Sequence, residues 1–170
     1  MKAITYDRYG GPEVLRYGDV PDPKLGPDSV LIEVRGTSVN PFDWKAREGH
    51  LDALLQTVFP VIPGWDVSGV VLRPGSAVRE LAEGDEVIGY VREDFLSRGT
   101  CAERIAAPER TLARKPSGLS FEEAAGLPLV GLTAYQVLHQ VLKVRPGETV
   151  LVHAAAGGVG STAVQLARYS

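Results

Sequence analysis

The 170-residue chain has one cysteine, Cys101, and three histidines. A single cysteine permits no internal disulfide and no cysteine-rich zinc site. It is typical of a reducing compartment, so we expect a cytoplasmic protein. His50, His139 and His153 show none of the spacings that metal ligands require. Their positions favour surface or packing roles.

Long apolar runs and basic clusters are also missing. No hydrophobic stretch reaches the roughly 20 residues that span a bilayer. The N-terminal sequence MKAITYDRYGG has charges and alternation where a signal peptide has an apolar core. The net charge is −3, with acidic and basic residues interspersed. We therefore expect neither nucleic acid nor a membrane as a partner.

Short segments rich in β-branched residues fill the first two-thirds of the chain. Proline and glycine turns separate them, which is typical of strands in an all-β domain. Their number and spacing predict a Greek-key barrel or sandwich. One short helix is expected at FDWKAREG. The segments are KAITY, VLRYG, VLIEVRGTSVN, DVSGVVL, EVIGYV and TCAERIAA.

The pattern changes near residue 117. Ser120 and Glu123 form a capping box at the start of a helix. The segment GLTAYQVLHQVLK predicts an amphipathic helix, followed by a strand at TVLVHAA and a further helix. This alternation predicts the start of an α/β domain, so we assign 1–118 to a β domain and 119–170 to an α/β domain. The predicted apolar face of the amphipathic helix contains Leu132, Tyr135, Leu138 and Leu142.

Residues 158–163 fit the G-x-G-x-x-[G/A] pattern of dinucleotide-binding turns. In this pattern Gly158 permits the tight turn, Gly160 admits a pyrophosphate, and Ala163 lets the helix pack close to the sheet. Free N–H groups at the helix start face the negative charge. The alternative is a glycine-rich turn without a ligand. The predicted cofactor-binding residues of this loop are Ala156, Gly157, Gly158, Val159 and Gly160.

Six segments in a fixed order are similar to those of one known family. They are SVNPFDWKAREG, PVIPGWDVSGVV, LAEGDEVIG, SFEEAAGLPL, GLTAYQVL and AAAGGVGSTAVQLAR. Together they resemble the medium-chain dehydrogenase/reductase superfamily, and within it the zinc-free quinone oxidoreductase branch that includes zeta-crystallin. The resemblance covers essentially the whole chain. It implies a GroES-like catalytic domain followed by the truncated start of a Rossmann domain, and a homodimer in the full-length form.

The resemblance also implies that no metal is bound. Zinc alcohol dehydrogenases of the superfamily have ligands where this chain has Asn40 and Trp65, and their third ligand falls near Leu129. Asp66 alone does not supply the three protein ligands of a catalytic zinc. Without a Lewis acid, a quinone or an α,β-unsaturated carbonyl is an easier hydride acceptor than a simple ketone. The resemblance implies NADPH as the hydride donor.

The matched motifs imply a set of site residues. Asn40, Asp43 and Thr133 are the predicted catalytic residues, with Asn40 and Thr133 also near the cofactor. Each has a structural alternative: a turn residue, a helix cap and a helix-start hydroxyl, respectively. The predicted substrate-pocket residues, for which core packing is the alternative, are Trp44, Trp65 and Tyr135.

Two other functions stay open at this point. An enoyl-thioester reductase has the same fold. The isolated chain is alternatively a non-catalytic GroES-like binding or structural module. We expect no turnover from these 170 residues alone.

Overall fold

The computed structural model describes residues 1–169. The chain folds into two compact units, Met1–Ala125 and the segment from Gly126 onward. All of the strands that the structure describes in residues 1–169 lie in the first unit. Its strands are β1 (Lys2–Thr5), β2 (Arg16–Asp19), β3 (Ser29–Gly36), β4 (Gln56–Thr57), β5 (Asp66–Pro74), β6 (Glu86–Tyr90), β7 (Phe95–Leu96), β8 (Arg104–Pro108) and β9 (Leu112–Arg114).

The helices of the chain are short. Two 3₁₀ turns, Pro12–Val14 and Glu109–Thr111, lie in the first unit. The helices are α1 (Pro41–Arg47), α2 (Phe121–Ala125), α3 (Pro128–Tyr135) and α4 (Gly158–Tyr169), with a π-helix over Gln136–Val141 directly after α3. Within residues 1–169, no helix combines the length and the hydropathy that crossing a membrane requires.

Five strands form the main sheet, in the order β8-β3-β5-β6-β9, and every pair in it is antiparallel. Alternate residues of these strands face one apolar core, as the period of a strand requires. Val30 and Ile32 of β3 lie in it beside Val67 and Val71 of β5, and all four are almost completely buried. The mostly β prediction for this part of the chain is confirmed.

A second apolar cluster holds the helix α1 in place. It contains Tyr6, Ala46, Val61 and Trp65 together with neighbouring side chains. Tyr6 and Val61 exchange two backbone hydrogen bonds of 2.8 and 2.9 Å, which tie the segment after β1 to the segment before β5. The helix predicted at FDWKAREG is confirmed: it is α1, which follows β3 in the chain.

The capping box at Ser120 is formed as predicted. The Ser120 N–H donates to the Glu123 carboxylate at 2.9 Å, and the Glu123 N–H returns to the Ser120 hydroxyl at 3.2 Å. The helix α2 that follows is joined to β5, because the Ser68 hydroxyl donates to the Phe121 carbonyl oxygen at 2.5 Å. This contact groups α2 with the first unit, which therefore extends to Ala125, whereas the sequence pattern changes near residue 117.

The second unit consists of helices and turns. Ala134, Leu138 and Ala163 form its small core, and Val150 and Val152 pack against it. The strand expected at TVLVHAA is not formed in this structure. A strand needs a hydrogen-bonded neighbour, and residues 126–169 contain no other strand to pair with it.

The amphipathic helix expected after Gly131 differs from the prediction as well. The helix widens into a π-helix at Gln136, so residues beyond that point are rotated away from the α-helical register. Leu138 is buried with Ala134, whereas Leu132, Tyr135 and Leu142 are exposed. The predicted apolar face is therefore correct only for Leu138.

Candidate functional site

Asn40 is the central residue of the candidate site in the first unit. It precedes α1 as its N-cap, in extended backbone conformation, and its side chain is buried. The Asn40 N–H donates to the Asp43 carboxylate at 2.7 Å, and the Asp43 N–H returns to the Asn40 carbonyl oxygen at 2.9 Å. This reciprocal cap fixes the backbone at both residues. Asp43 therefore caps α1, as its structural alternative predicted.

The amide nitrogen of Asn40 is fully used inside the protein. Its Nδ2 donates to the Ser38 hydroxyl at 2.9 Å and to the Asp66 carboxylate at 2.9 Å. The Ser38 hydroxyl itself donates to Asp66. A carboxylate only accepts, and the single hydroxyl proton of Ser38 is committed to it, so both N–H groups of Asn40 must face these partners. The amide oxygen faces the Asp43 N–H in the capping box of α1. It has two lone pairs, so one lone pair remains for a ligand, and it can only accept.

Asp66 is the buried acceptor of this network, because its carboxylate accepts hydrogen bonds from Ser38 and Asn40. It opens β5 opposite Tyr90 of β6 and is 1% exposed. A carboxylate this deeply buried is tolerated when donors surround it. Ser38 and Asn40 are two of its donors, and the Thr37 hydroxyl donates to the Asp66 carbonyl oxygen at 2.8 Å. These hydrogen bonds support a structural role for the Asp66 side chain.

Gly64 joins the network to the chain segment at Thr100. Its φ of +92° is in the left-handed region, which glycine adopts without strain. A Cβ at this position would lie 2.5 Å from the Thr100 hydroxyl. The Gly64 N–H donates to the Asp43 carboxylate at 3.1 Å, and its carbonyl oxygen accepts the Thr100 N–H at 2.9 Å.

Burial governs the acidity of the groups around Asn40. Desolvation raises the pKa of Asp43, and the N–H groups of Asn40 and Gly64 oppose that rise. The charge of Asp66 adds to the rise. Burial also raises the pKa of the Cys101 thiol to about 11, with a further contribution from Asp43. Cys101 is therefore a protonated thiol at neutral pH.

Two of the predicted pocket residues differ in their accessibility. Trp44 is 39% exposed and lines a recess of about 150 Å³. Trp65 is only 5% exposed, because its ring stacks on Phe42 with centroids 3.9 Å apart and meets the edge of Tyr90. The structure favours core packing for Trp65 and leaves Trp44 available to a ligand.

The part of the chain that the structure describes contains no group of three or more His, Cys, Asp or Glu side chains arranged to hold a metal ion. At the three positions where the resemblance locates zinc ligands, the side chains are an amide, an indole and an aliphatic group. None of these supplies the thiolate, imidazole or carboxylate that zinc prefers.

In the second unit, the predicted cofactor loop forms a tight turn before α4. The turn is made at Ala154, whose φ of +54° is left-handed, and the Gly157 N–H donates to the Ala154 carbonyl oxygen at 3.0 Å. Gly158 is already the first residue of the helix. The prediction that Gly158 permits the turn is therefore wrong, because Ala154 supplies the unusual backbone conformation.

Gly160 has a steric role that the sequence did not predict. A Cβ on Gly160 would lie 2.3 Å from the Ala154 carbonyl oxygen and 2.7 Å from the Ala155 Cα. Glycine is required here by the loop's own backbone, whether or not a ligand binds. Ala163 is buried against Ala134 and Leu138, so within residues 126–169 it packs against helices and not against the predicted sheet.

The start of α4 leaves backbone N–H groups without an acceptor in the helix. Residues 154–159 are exposed, and the hydrogen bonds of α4 begin with the Ser161 N–H, which donates to the Gly157 carbonyl oxygen at 2.8 Å. The N–H groups of the first turn, at 158–160, have no acceptor inside the helix. Such groups at the positive end of a helix suit an anion.

The remaining predicted residues lie on α3. The Thr133 hydroxyl donates to the Leu129 carbonyl oxygen at 2.7 Å, so its proton is used within α3. Thr133 lies in the second half of this helix, so the alternative of a helix-start hydroxyl is wrong. Tyr135 is 48% exposed, and its ring lies 4.7 Å from that of His139. The ligand roles of both residues stay predictions.

Sequence reasoning missed Ser38 and Tyr6. Ser38 precedes Asn40 by two residues in an extended segment, so the two side chains share a face. That spacing was the available signal for their contact. Tyr6 gave no such signal, because the recess it lines is assembled from segments far apart in the chain.

The comparisons with known proteins agree with this architecture. Residues 26–117 match the alcohol dehydrogenase GroES-like domain, a match that covers more than half of the chain. The chain belongs to this family. The resemblance to the medium-chain dehydrogenase/reductase superfamily is thereby confirmed.

Three relatives define the similarity more closely. The chain is 42% identical over 174 residues to an NADPH-dependent alkenal/one oxidoreductase of Arabidopsis thaliana chloroplasts, covering 99% of this chain and 45% of that protein. It is 40% identical to a quinone-oxidoreductase homolog of Spinacia oleracea, covering 99% and 52%. The solved quinone oxidoreductase from Coxiella burnetii superposes with a TM-score of 0.88 at 40% identity, covering 99% and 53%. The chain spans about half the length of these relatives.

Proposed function

We propose that this chain is part of a reductase that transfers a hydride from NADPH to a quinone or an α,β-unsaturated carbonyl compound without a catalytic zinc. The Arabidopsis relative is named NADPH-dependent and acts on alkenals or enones by its name, and the Spinacia and Coxiella relatives are named quinone oxidoreductases. These names support the cofactor and both acceptor classes.

The fixed amide of Asn40 is the observation that carries the proposal. Its two N–H groups are held by Ser38 and Asp66, so only its oxygen is available to a ligand. An oriented acceptor of this kind suits the carboxamide N–H group of a nicotinamide ring. The buried network around Asn40 prevents the side chain from rotating, and such preorganisation is what positioning of a reactant requires.

The second unit, taken by itself, has residues that suit part of a dinucleotide. The exposed turn at 154–157 and the free N–H groups at the start of α4 suit the diphosphate of a dinucleotide. Thr133 is proposed to lie near the nicotinamide, with its oxygen as an acceptor, since its proton is donated to Leu129. The second unit is proposed as the start of a Rossmann domain.

The proposed chemistry needs no Lewis acid. NADPH, when bound, supplies the hydride, and the protein supplies binding and orientation. A conjugated carbonyl spreads the incoming charge, so hydrogen bonds suffice where a simple ketone needs stronger polarisation. The amide and indole at Asn40 and Trp65 support this zinc-free interpretation of the site. The cytoplasmic location and the homodimer stay predictions.

The test is an assay of the complete protein that contains this chain. NADPH consumption is measured with a 2-alkenal and with a quinone, before and after treatment with a metal chelator. We expect turnover of at least one acceptor class that chelation leaves unchanged. Replacing Asn40 with alanine should lower kcat/KM by about 100-fold, the size of effect that a misplaced reactant produces.

A matched control removes a side chain that makes no contact in the site. Ser117 is exposed and lies outside the Asn40 network, so Ser117→Ala should retain wild-type kcat/KM. The urea midpoint of each variant shows whether a loss of activity reflects unfolding. Loss of turnover on chelation, or an Asn40→Ala variant as active as the wild type, would refute the proposal.

A further inference from the structure

A cavity of about 320 Å³ in the first unit lies apart from the candidate site. Its walls come from β1, from β8 and from the segments at 20–24 and 97–99. Thr5 of β1 lines this cavity, whereas the preceding residue, Ile4, lines the recess at Trp44. Successive residues of a strand face opposite sides, so β1 separates the cavity from that recess.

Apolar side chains form most of the wall of this cavity. Pockets that hold drug-sized ligands begin at about 300 Å³, so the cavity is large enough for a small organic molecule. An apolar cavity of about 150 Å³ holds benzene. About twice that volume accommodates a flat ligand of two fused rings. The apolar wall residues are Val20, Pro21, Pro23, Pro60, Ile62 and Ile105.

The charge on the wall is positive. Asp22 is balanced by Arg104, whose guanidinium donates to its carboxylate at 2.5 Å. Lys24 and Arg98 also line the cavity, both are exposed, and neither forms an ion pair within residues 1–169. The charge of Arg98 influences the Glu93 carboxyl, but the two side chains are not hydrogen-bonded. Two cations are therefore available to an anionic ligand.

The segment at 97–99 adds uncharged donors. Gly99 is buried, and a Cβ there would lie 2.3 Å from the Ile62 carbonyl oxygen, so only glycine lets this segment pack so closely. Within residues 1–169, the Gly99 N–H and the Ser97 hydroxyl donate to no acceptor. A donor at a buried position gains when a ligand supplies its acceptor. Both residues line the cavity, so a ligand there can accept these hydrogen bonds.

We infer that this cavity binds a flat aromatic carboxylate of two fused rings. The apolar wall encloses the rings, and the carboxylate lies at the segment 97–99, where the Gly99 N–H and the Arg98 guanidinium donate to it. Lys24 adds a second positive charge. A phosphate group alone is too strongly hydrated to gain from the apolar wall.

This inference is independent of the proposed function. The cavity lies wholly within the first unit and on the other side of β1 from the recess at Trp44. Binding there requires neither NADPH nor hydride transfer. Failure of either proposal therefore leaves the other unaffected.

The experiment compares two ligands of equal shape on the 170-residue chain without cofactor. 2-Naphthoate has a carboxylate where 2-naphthamide has a neutral carboxamide. Calorimetric titration at low salt measures both affinities, and the Gly99 amide signal in NMR spectra locates the site. We expect saturable binding of both ligands, with naphthoate bound about fivefold more tightly, the size of one exposed ion pair. Inorganic phosphate at equal ionic strength should not displace naphthoate.

Arg98→Gln should weaken naphthoate binding about fivefold and leave naphthamide binding unchanged. Arg92→Gln is the matched control, because Arg92 is exposed in the same connection between β6 and β8 and does not line the cavity. It should leave both affinities unchanged. Both arginines are on the surface, so neither variant threatens the fold.

Four results would each overturn the inference. They are absence of saturable binding, equal affinity for the two ligands, equal effects of Arg98→Gln and Arg92→Gln, and displacement of naphthoate by phosphate. A shift of the Trp44 indole signal without a shift at Gly99 would place the ligand in the other recess and would overturn it as well.

Discussion

Replacing Gly160 with alanine should destabilise the second unit, although alanine is the better helix former. The added Cβ would lie 2.3 Å from the Ala154 carbonyl oxygen and 2.9 Å from the Ala154 carbonyl carbon. Both contacts are with backbone, so no flexible side chain can move aside. The turn at Ala154 must shift, and overpacking of this kind typically destabilises by about 1–3 kcal/mol.

The higher helix propensity of alanine offsets up to about 1 kcal/mol of that strain. With the full offset, a net loss of up to about 2 kcal/mol remains, which corresponds to at most about a thirtyfold change in the equilibrium between folded and unfolded forms. Hydrogen exchange of the α4 amides measures this directly. Tryptophan fluorescence does not, because Trp44 and Trp65 both lie in the first unit.

Gly157→Ala is the control for this prediction. Gly157 is exposed, and a Cβ there would meet only the Ala154 carbonyl oxygen, at an ordinary 3.4 Å. We expect its α4 protection to stay within about threefold of wild type, in keeping with surface substitutions. If the α4 amides are equally protected from hydrogen exchange in Gly160→Ala and in Gly157→Ala, the close approach of the Ala154 backbone to Gly160 is wrong.

Three further predictions concern the first unit. Replacing Asn40 with leucine removes a donor to the buried Asp66 carboxylate, so the free energy of unfolding measured with urea should fall by about 2 kcal/mol; an unchanged midpoint would contradict the network. Cys101 should react slowly with a thiol reagent at neutral pH and faster as the pH rises toward about 11, and urea should abolish this protection; fast reaction of the native chain at neutral pH would contradict its burial. The Asp43 carboxyl, followed by carbon NMR, should titrate above the usual aspartate range because burial outweighs its hydrogen bonds. Since its pKa is raised on folding, the contribution of Asp43 to stability is present at low pH and is lost as the pH rises through the folded-state value; a titration at or below the usual range would contradict this.

Local patterns in the sequence predicted much of the secondary structure. The β-rich segments predicted the strands of the first unit, since alternation and β-branched residues act over a few neighbours. The capping box at Ser120 formed for the same reason, because its two hydrogen bonds join residues three apart. The prediction failed at TVLVHAA, where a strand depends on a partner that residues 126–169 do not contain.

The chemistry of the candidate site was only partly visible in the sequence. The motif around Asn40 identified the residue, and the side chains at Trp65 and Leu129 indicated that zinc ligands are missing there. Which atoms of Asn40 face a ligand could not be predicted, because that depends on hydrogen bonds to Asp66, which lies 26 positions away.

By itself, the sequence determined the family, through motifs spread along the chain. It also determined the alternation of buried and exposed residues in the strands and the caps of α1 and α2, since these depend on residue types within a few positions. The tertiary structure alone decided that Trp65 is buried, that Gly160 is required by the turn at Ala154, and that the Asn40 amide donates to Asp66. The reason is physical: burial and the pairing of buried polar groups depend on segments that meet only when the chain is folded.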